Sequence, residues 1–312
     1  MRPQRWRGAV LLAAILALNA CAASSSANKE KSLFRIENGQ SVRDIAGALQ
    51  RAGYLSRPKL FLAWAKLLSN KKRVIRPGVY PLPRGASAYR ILQTLYKGPA
   101  SARVAFPEGW TARQMSVLLE SHNVVASEAF LERVAKDGLE GYLFPDTYVF
   151  EQNSEVETVI QTMRRRFSQM IPADWTARAK ALRLTEKQLV TLASIVEREA
   201  VVAEERPLIA GVYYNRLRKR MRLEADPTVQ YALGAWKPRL TYKDLDVQSP
   251  YNTYRHVGLP PGPIGNPGAA ALDAAAHPAQ TDMLFFVAAG DGAHRFSRTY
   301  AEHLNAQKRR KP

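Results

Sequence analysis

Hydrophobic residues recur at helical spacing in the first hundred positions, and short alternating runs separate them. After a polar turn, Ser41 precedes Val42, Ile45, Ala46 and Leu49, which predicts an amphipathic helix with a serine N-cap. Further helices are predicted over residues 58–68 and after Ser87, and short strands at 34–36 and 79–80. The pattern therefore indicates a small α+β domain over residues 32–99.

The pattern starts again after residue 103 and continues to the C-terminus. A strand is predicted at 104–106, followed by helices with Thr111 and Ser127 as N-caps. Residues 141–150 are aromatic and extended, but a proline in the middle makes a central strand implausible. Helices are predicted at about 155–170 and 173–182, and a longer one opens at Thr185. We expect a larger α+β domain over residues 103–312.

The first 28 residues have the features of an export signal and tether. Arg2, Arg5 and Arg7 precede a short apolar run, and small polar residues follow it. The chain has one cysteine, Cys21, so an intramolecular disulfide is impossible. Leu-x-Ala-Cys resembles the bacterial lipobox, in which the cysteine is lipidated; an uncleaved single membrane-spanning helix and full secretion are the alternatives. All three place the residues after about 28 outside the cytoplasm.

The chain is basic, with 46 Lys and Arg against 27 Asp and Glu and a formal net charge of +19. Such a balance favours anionic surfaces, including nucleic acid, anionic lipid and acidic wall polymers. The basic residues are scattered along the chain, and no zinc-finger, RNA-binding or basic-helix signature accompanies them. We therefore expect no nucleic-acid partner.

Several kinds of chemistry find no matching pattern in the sequence. The five histidines have no metal-ligand spacing, so no metal site is predicted. A phosphate-binding glycine loop and a Gly-x-Ser-x-Gly elbow are also lacking, and no cofactor is expected. Carboxylate chemistry remains.

The helix that opens at Thr185 carries two glutamates near its end, Glu197 and Glu199. Thr185 and Gln188 form a possible capping box, and the apolar positions make a buried stripe. At about 100° per residue, the two glutamates lie on opposite edges of that stripe. Each is therefore expected to be half-buried, where desolvation raises a carboxyl pKa towards that of a general acid. The helical periodicity does not distinguish between them or exclude two solvated side chains.

Two other segments offer polar groups for a substrate. Asp226 precedes Pro227, an arrangement typical of a helix N-cap followed by proline, so its role is structural or at a site. Tyr251, Asn252, Thr253 and Tyr254 offer amide, hydroxyl and aromatic groups that suit an N-acetylated sugar. A turn that Asn252 holds together explains the same residues.

Several long motifs resemble those of the YceG-like (MltG-type) endolytic murein transglycosylases. They occur in order and extend from about Phe34 to the C-terminus. The motifs are Gly-Tyr-Leu-Phe-Pro-Asp-Thr-Tyr at 141–148, Leu-Ala-Ser-Ile-Val-Glu-Arg-Glu at 192–199, Val-Tyr-Tyr-Asn-Arg-Leu at 212–217, Met-Arg-Leu-Glu-Ala-Asp-Pro-Thr-Val-Gln-Tyr at 221–231, Ser-Pro-Tyr-Asn-Thr-Tyr at 249–254 and Gly-Leu-Pro-Pro-Gly-Pro-Ile at 258–264.

The resemblance implies an enzyme, a peptidoglycan lytic transglycosylase. Its expected reaction cleaves the β-1,4 bond between N-acetylmuramic acid and N-acetylglucosamine in nascent glycan strands and leaves 1,6-anhydro ends. The family's acid maps onto Glu197. The implied location is the periplasmic face of the inner membrane, with glycan strands as substrate and peptidoglycan synthases as partners.

The first domain resembles a LysM-type glycan-binding module. The likeness is carried by Ile-x-x-Gly-x-Ser-x-x-x-Ile-Ala at 36–46, and a supporting domain without a ligand is the alternative. For the whole chain, the alternatives are a non-catalytic wall-binding protein and a pyridoxal-phosphate-dependent aminodeoxychorismate lyase. The export signal opposes the lyase, which requires a cytoplasmic location.

Overall fold

A computed structural model describes residues 31–68, 74–290 and 292–309 of the chain. The predicted export signal, Cys21 and the tether over residues 1–28 lie outside these residues. Within the described ranges, no helix combines the length and apolar character needed to cross a bilayer.

The described residues separate into two compact units. The first extends to Ser101 and includes Glu151–Asn153, and the second contains Ala102–Phe150 together with the chain from Ser154 onwards. The change of unit between Ser101 and Ala102 lies between the predicted domains over residues 32–99 and 103–312.

The first unit is a two-stranded antiparallel sheet covered by three helices. Strand β1 (Lys31–Ile36) pairs with β2 (Gly78–Pro83) in a register that joins Phe34 to Tyr80. Ser41 caps the first helix in a capping box with Asp44, as the sequence predicted for this N-cap. Ile45, Phe61 and other apolar side chains form one core between the sheet and the helices. The elements are β1 (Lys31–Ile36), α1 (Val42–Arg51), α2 (Pro58–Leu68), β2 (Gly78–Pro83) and α3 (Ala88–Lys97).

The second unit begins with two paired strands and three helices that share a separate core. β3 pairs with β4, and Phe106 and Tyr148 lie in ring contact beside this pair. Met115, Phe130 and Ile160 are buried in the core that the three helices form with these strands. The elements are β3 (Ser101–Ala105), α4 (Ala112–Ser121), α5 (Ser127–Asp137), β4 (Thr147–Glu151) and α6 (Val156–Met170).

The rest of the second unit is built around one buried helix, α8 (Glu186–Glu199). All eight residues from Leu189 to Val196 are buried, so the predicted stripe describes only part of a helix that is enclosed on every side. Helices α7, α9, α10 and α12 pack against it. The helices of this region are α7 (Trp175–Ala181), α8 (Glu186–Glu199), α9 (Arg206–Arg218), α10 (Asp226–Leu233), α11 (Tyr242–Leu245) and α12 (Ala269–Ala276).

A short hairpin and a final helix complete the second unit. Phe286 pairs with Phe296 across the hairpin, and its ring lies edge-on to Tyr213 of α9. These contacts bring the C-terminal segment onto the face of α9. The elements are β5 (Phe285–Ala288), β6 (His294–Ser297) and α13 (Tyr300–Lys308).

The observed fold class is α+β, as the sequence predicted. The strand–helix–helix–strand order of β1, α1, α2 and β2 is also the predicted order, but a LysM-type identity of the first unit stays a prediction.

Two predicted N-caps are wrong. Helix α5 is capped by Ala126 without a side-chain hydrogen bond, and Ser127 is its first residue. The Ser127 hydroxyl instead bonds to that of Ser116, and Glu120 accepts its backbone N–H. Helix α10 begins at Asp226 itself, with Ala225 at the cap. In both cases the side chain that the local sequence predicted as an N-cap makes a tertiary hydrogen bond instead.

Candidate active site

Helix α8 positions both candidate glutamates at its C-terminal end. Thr185 and Gln188 form the capping box that the sequence predicted, and the helix runs without interruption to Glu199. Residues 189–196 are enclosed in the core. Towards the C-terminus, the side chains of the last turn are the first to leave it. Glu197 and Glu199 are separated by about 200° around the helix axis, so they enter different surroundings.

Glu197 is held on both carboxylate oxygens. The Arg206 guanidinium donates to Oε1 at 3.3 Å, and the backbone N–H of Gly268 donates to Oε2 at 2.8 Å. The side chain is 5% exposed, and that of Arg206 is 14% exposed. Gly268 caps α12, so this carboxylate also lies at a helix N-terminus, where negative charge is favourable.

A third carboxyl group, Glu108, lies beside Glu197 and was missed by sequence reasoning. Burial, together with the negative charge of Glu197, raises the pKa of Glu108, and the positive charge of Arg206 opposes this rise. Gly109 follows with φ at +75°, a backbone conformation that favours glycine, and lies close to Glu197 and Arg198. Pro107-Glu108-Gly109 is typical of a turn, and nothing local distinguishes this glutamate from a solvated one.

Glu199 has a different environment. The Tyr213 hydroxyl donates to its Oε1 at 2.6 Å. Burial raises the pKa of Glu199 to about 7; the hydrogen bond from Tyr213 and the charge of Arg216 oppose this rise, while the charge of Asp226 adds to it. A carboxyl group with a pKa near neutrality can both donate and accept a proton at physiological pH. Desolvation is therefore the physical cause of its acid character.

Glu199 lines an open cavity of about 570 Å³. Asp226 and Tyr254 line it as well, and the Tyr254 hydroxyl donates to Asp226 Oδ1 at 2.6 Å. Glu197 is outside this lining. We call it the Glu199 cavity; other side chains around it are Tyr213, Arg216, Glu224, His294 and His303.

The predicted substrate-binding residues divide into three groups. Asp226 and Tyr254 face the Glu199 cavity, whereas Tyr251 lines a second cavity of the same unit. Asn252 is fully buried, and its amide donates to the carbonyls of Leu245 and Val247. This is the turn-holding arrangement that the sequence left open as the alternative.

Thr253 is also buried, at 1% exposure. Its hydroxyl accepts the backbone N–H of Ala225 and bonds to the hydroxyl of Thr228. These bonds join the Ser249–Tyr254 segment to the start of α10. Asn252 and Thr253 therefore support the site from inside the protein, and the geometry gives neither a direct contact with a sugar.

Two histidines of the second unit, His277 and His294, bind carboxylates of the protein. His294 Nδ1 lies 2.6 Å from Glu205 Oε2, and His277 bridges Asp174 and Asp273. Over residues 31–68, 74–290 and 292–309 there is no group of three or more His, Cys, Asp or Glu arranged to hold a metal ion. The side chains around the Glu199 cavity offer carboxyl, phenol, imidazole and guanidinium groups.

Known proteins are similar to this chain in sequence and fold over most of its length. A curated relative, the endolytic murein transglycosylase of Bacillus subtilis (strain 168), is 33% identical over 304 residues, which cover 88% of this chain and 84% of the relative. A relative of the same name from Streptococcus pneumoniae D39 is 29% identical and is matched over 58% of its length. A crystal structure of a yceG-like protein from Listeria monocytogenes aligns with a TM-score of 0.59 at 32% identity, covering 88% of this chain and 98% of that one.

The match to a family model is equally extensive. It runs over residues 34–309 and so includes both units and every candidate site residue. The chain belongs to the YceG-like family.

Proposed function

We propose that this protein is an endolytic lytic transglycosylase that cleaves the β-1,4 bond between N-acetylmuramic acid and N-acetylglucosamine in peptidoglycan strands. Family membership and relatives named endolytic murein transglycosylases support the reaction class. The single observation that carries the chemistry is a desolvated carboxyl group, Glu199, on the wall of an open cavity.

The proposed reaction needs one carboxyl group in two roles. Protonated Glu199 donates its proton to the glycosidic oxygen, and the bond from that oxygen to C1 of the muramic acid breaks. The muramic acid's own C6 hydroxyl then attacks C1 and loses its proton to the Glu199 carboxylate, which restores the acid. The products are a free 4-hydroxyl on N-acetylglucosamine and a 1,6-anhydro-muramic acid end. Most glycosidases need a second carboxylate to activate water or to attack C1, and here an intramolecular hydroxyl replaces it.

The surroundings of the two glutamates support our proposal for the acid. The family resemblance assigns the acid to Glu197, and that assignment stays a prediction. Glu197 accepts a hydrogen bond on each oxygen from the protein itself, whereas Glu199 lines an open cavity. We therefore propose Glu199 as the proton donor, with Glu197 holding Arg206 and the start of α12.

Asp226 and Tyr254 are proposed to act on the sugar next to the broken bond. The C1 centre acquires positive charge as the bond breaks. A carboxylate held by the Tyr254 hydroxyl offers a fixed negative charge in the same cavity. Preorganisation by that hydrogen bond avoids the cost of reorienting the group during the reaction.

We place the protein in the cell envelope, where peptidoglycan lies. Its anchor is proposed to be a lipid on Cys21 or one N-terminal helix, and its partners peptidoglycan synthases. The order of β1, α1, α2 and β2 is compatible with a LysM-type glycan-binding role for the first unit.

The detergent-solubilised full-length protein, given uncrosslinked glycan strands, tests the proposal. We expect fragments that end in 1,6-anhydro-muramic acid, identified by mass spectrometry. Ordinary reducing ends alone would contradict the lyase reaction. Strand binding without any fragment release would favour the alternative, a non-catalytic wall-binding protein.

A further inference from the structure

The second unit contains another cavity, of about 820 Å³, next to the Glu199 cavity. A volume of this size is typical of small-molecule sites. We call it the Glu140 cavity. Its chemically informative lining residues are Arg113, Glu140, Arg198, Tyr231, Trp236 and Tyr251.

Glu140 is a buried carboxyl group fixed to the cavity wall. The backbone N–H of Ala112 donates to both of its oxygens at 3.0 and 3.2 Å, and the Asn266 amide donates to Oε1 at 2.9 Å. Asn266 is itself locked, because its Oδ1 accepts the N–H groups of Gly141 and Leu143. Burial raises the pKa of Glu140 to about 7, against these hydrogen bonds. The group is thus held rigidly, and it offers a polar contact at a fixed position.

Aromatic rings line the same cavity. The rings of Tyr231 and Tyr251 lie 4.8 Å apart, and Trp236 is 65% exposed. Trp236 therefore presents an open ring face at this cavity, in which Tyr231 and Tyr251 also lie. Aromatic faces beside a few fixed polar groups bind the apolar C–H face and the hydroxyl or acetamido groups of a pyranose ring.

Residues adjacent in the chain line the two cavities. Arg198 and Pro227 line the Glu140 cavity. Their neighbours in the chain, Glu199 and Asp226, line the Glu199 cavity. The end of α8 and the start of α10 therefore line both cavities. When a polymer binds in one cavity, its neighbouring units lie near the other.

We propose that the Glu140 cavity binds a saccharide unit of the same glycan strand, away from the bond that is cut, with Trp236 as its stacking platform. This inference rests on the proposed function. Occupation of both cavities requires a strand that extends beyond the cleaved bond. The Glu140 cavity would then select internal positions of a strand over short fragments.

Binding and cleavage are measured separately, so that failure of this inference is distinguishable from failure of the proposed reaction. The probes are peptide-free glycan strands and the same strands with their stem peptides, titrated against full-length protein that carries both Glu197→Gln and Glu199→Gln, so that neither candidate acid cuts the probe. Trp236→Ala is the test variant. Tyr242→Ala is the matched control, because Tyr242 is 92% exposed on the neighbouring helix α11 and is not part of the lining.

We expect Trp236→Ala to weaken binding of peptide-free strands about tenfold, as loss of one ring contact implies, while Tyr242→Ala binds as the parent does. In the otherwise native enzyme, Trp236→Ala should reduce the preference for long strands over a tetrasaccharide through KM rather than kcat. Equal binding by all three proteins, an equal loss in both variants, or binding that requires the stem peptide would each overturn the inference. These binding results do not depend on whether the enzyme cleaves.

Discussion

The two glutamates at the end of α8 have opposite surroundings although one residue separates them. Glu197 lies among groups of the protein that satisfy both its oxygens, and it shares Arg206 with Glu108. Glu199 lies against one phenol and an open cavity, and burial raises its pKa to about 7. The difference teaches that a motif places two glutamates in one segment, whereas the fold determines whether each side chain meets protein groups or an open cavity.

The largest expected effect separates the two glutamates directly. Glu199→Gln should lower the release of 1,6-anhydro fragments about 10³-fold, because an amide cannot donate the proton that the leaving oxygen needs. Glu197→Gln should retain more activity, since the amide can still accept from Gly268. Initial rates on uncrosslinked strands, with circular dichroism to verify folding, make the measurement. If the two variants exchange these results, Glu197 is the acid.

The second expected effect is a loss of protein stability when the charge partner of Glu197 and Glu108 is removed. Arg206→Gln should lower the free energy of unfolding by about 3 kcal/mol, because it leaves two half-buried carboxyl groups without their cation. The pKa of Glu108 is already raised in the folded protein and would rise further, so the folded state binds more protons than the unfolded one. The loss should therefore be larger at high pH than at low pH. Urea unfolding at several pH values measures it, and a loss that grows as the pH falls would contradict the arrangement.

The smallest expected effect is a shift in the pH profile of kcat/KM when a partner of Glu199 is replaced. The acid must be protonated, so kcat/KM should fall as pH rises above about 7. Tyr213→Phe removes a hydrogen bond that lowers the pKa of Glu199, and the falling limb should move up by about 0.7 pH unit. Asp226→Asn removes a negative charge that raises this pKa, and the limb should move down. Shifts in the same direction, or none, would show that another group controls the profile.

Local sequence determined the helices better than it determined the site. The capping boxes at Ser41, Thr111 and Thr185 are all present, since their hydrogen bonds involve residues three positions apart. The caps expected at Ser127 and Asp226 are absent, because their side chains bond elsewhere: Ser127 to Ser116, and Asp226 to Tyr254. A pattern within one segment contains no information about such distant partners.

The missed residues have the same explanation. Glu108 meets Glu197 and Arg206 across long stretches of chain, and Glu140 is fixed by Asn266, 126 positions away. Both glutamates stand beside a glycine in a turn, where a solvated side chain is the usual outcome. Their burial arises only when the turns pack against α8 and the loop before α12.

The sequence by itself determined that α8 ends in two glutamates on different faces, since helix geometry alone separates them by about 200°. It also determined the family, through motifs in a common order. Only the tertiary structure decided what each face meets: Arg206 and the start of α12 on one side, and Tyr213 and a cavity on the other. Desolvation and charge depend on atoms brought together from the whole unit, so helical periodicity alone does not distinguish Glu197 from Glu199.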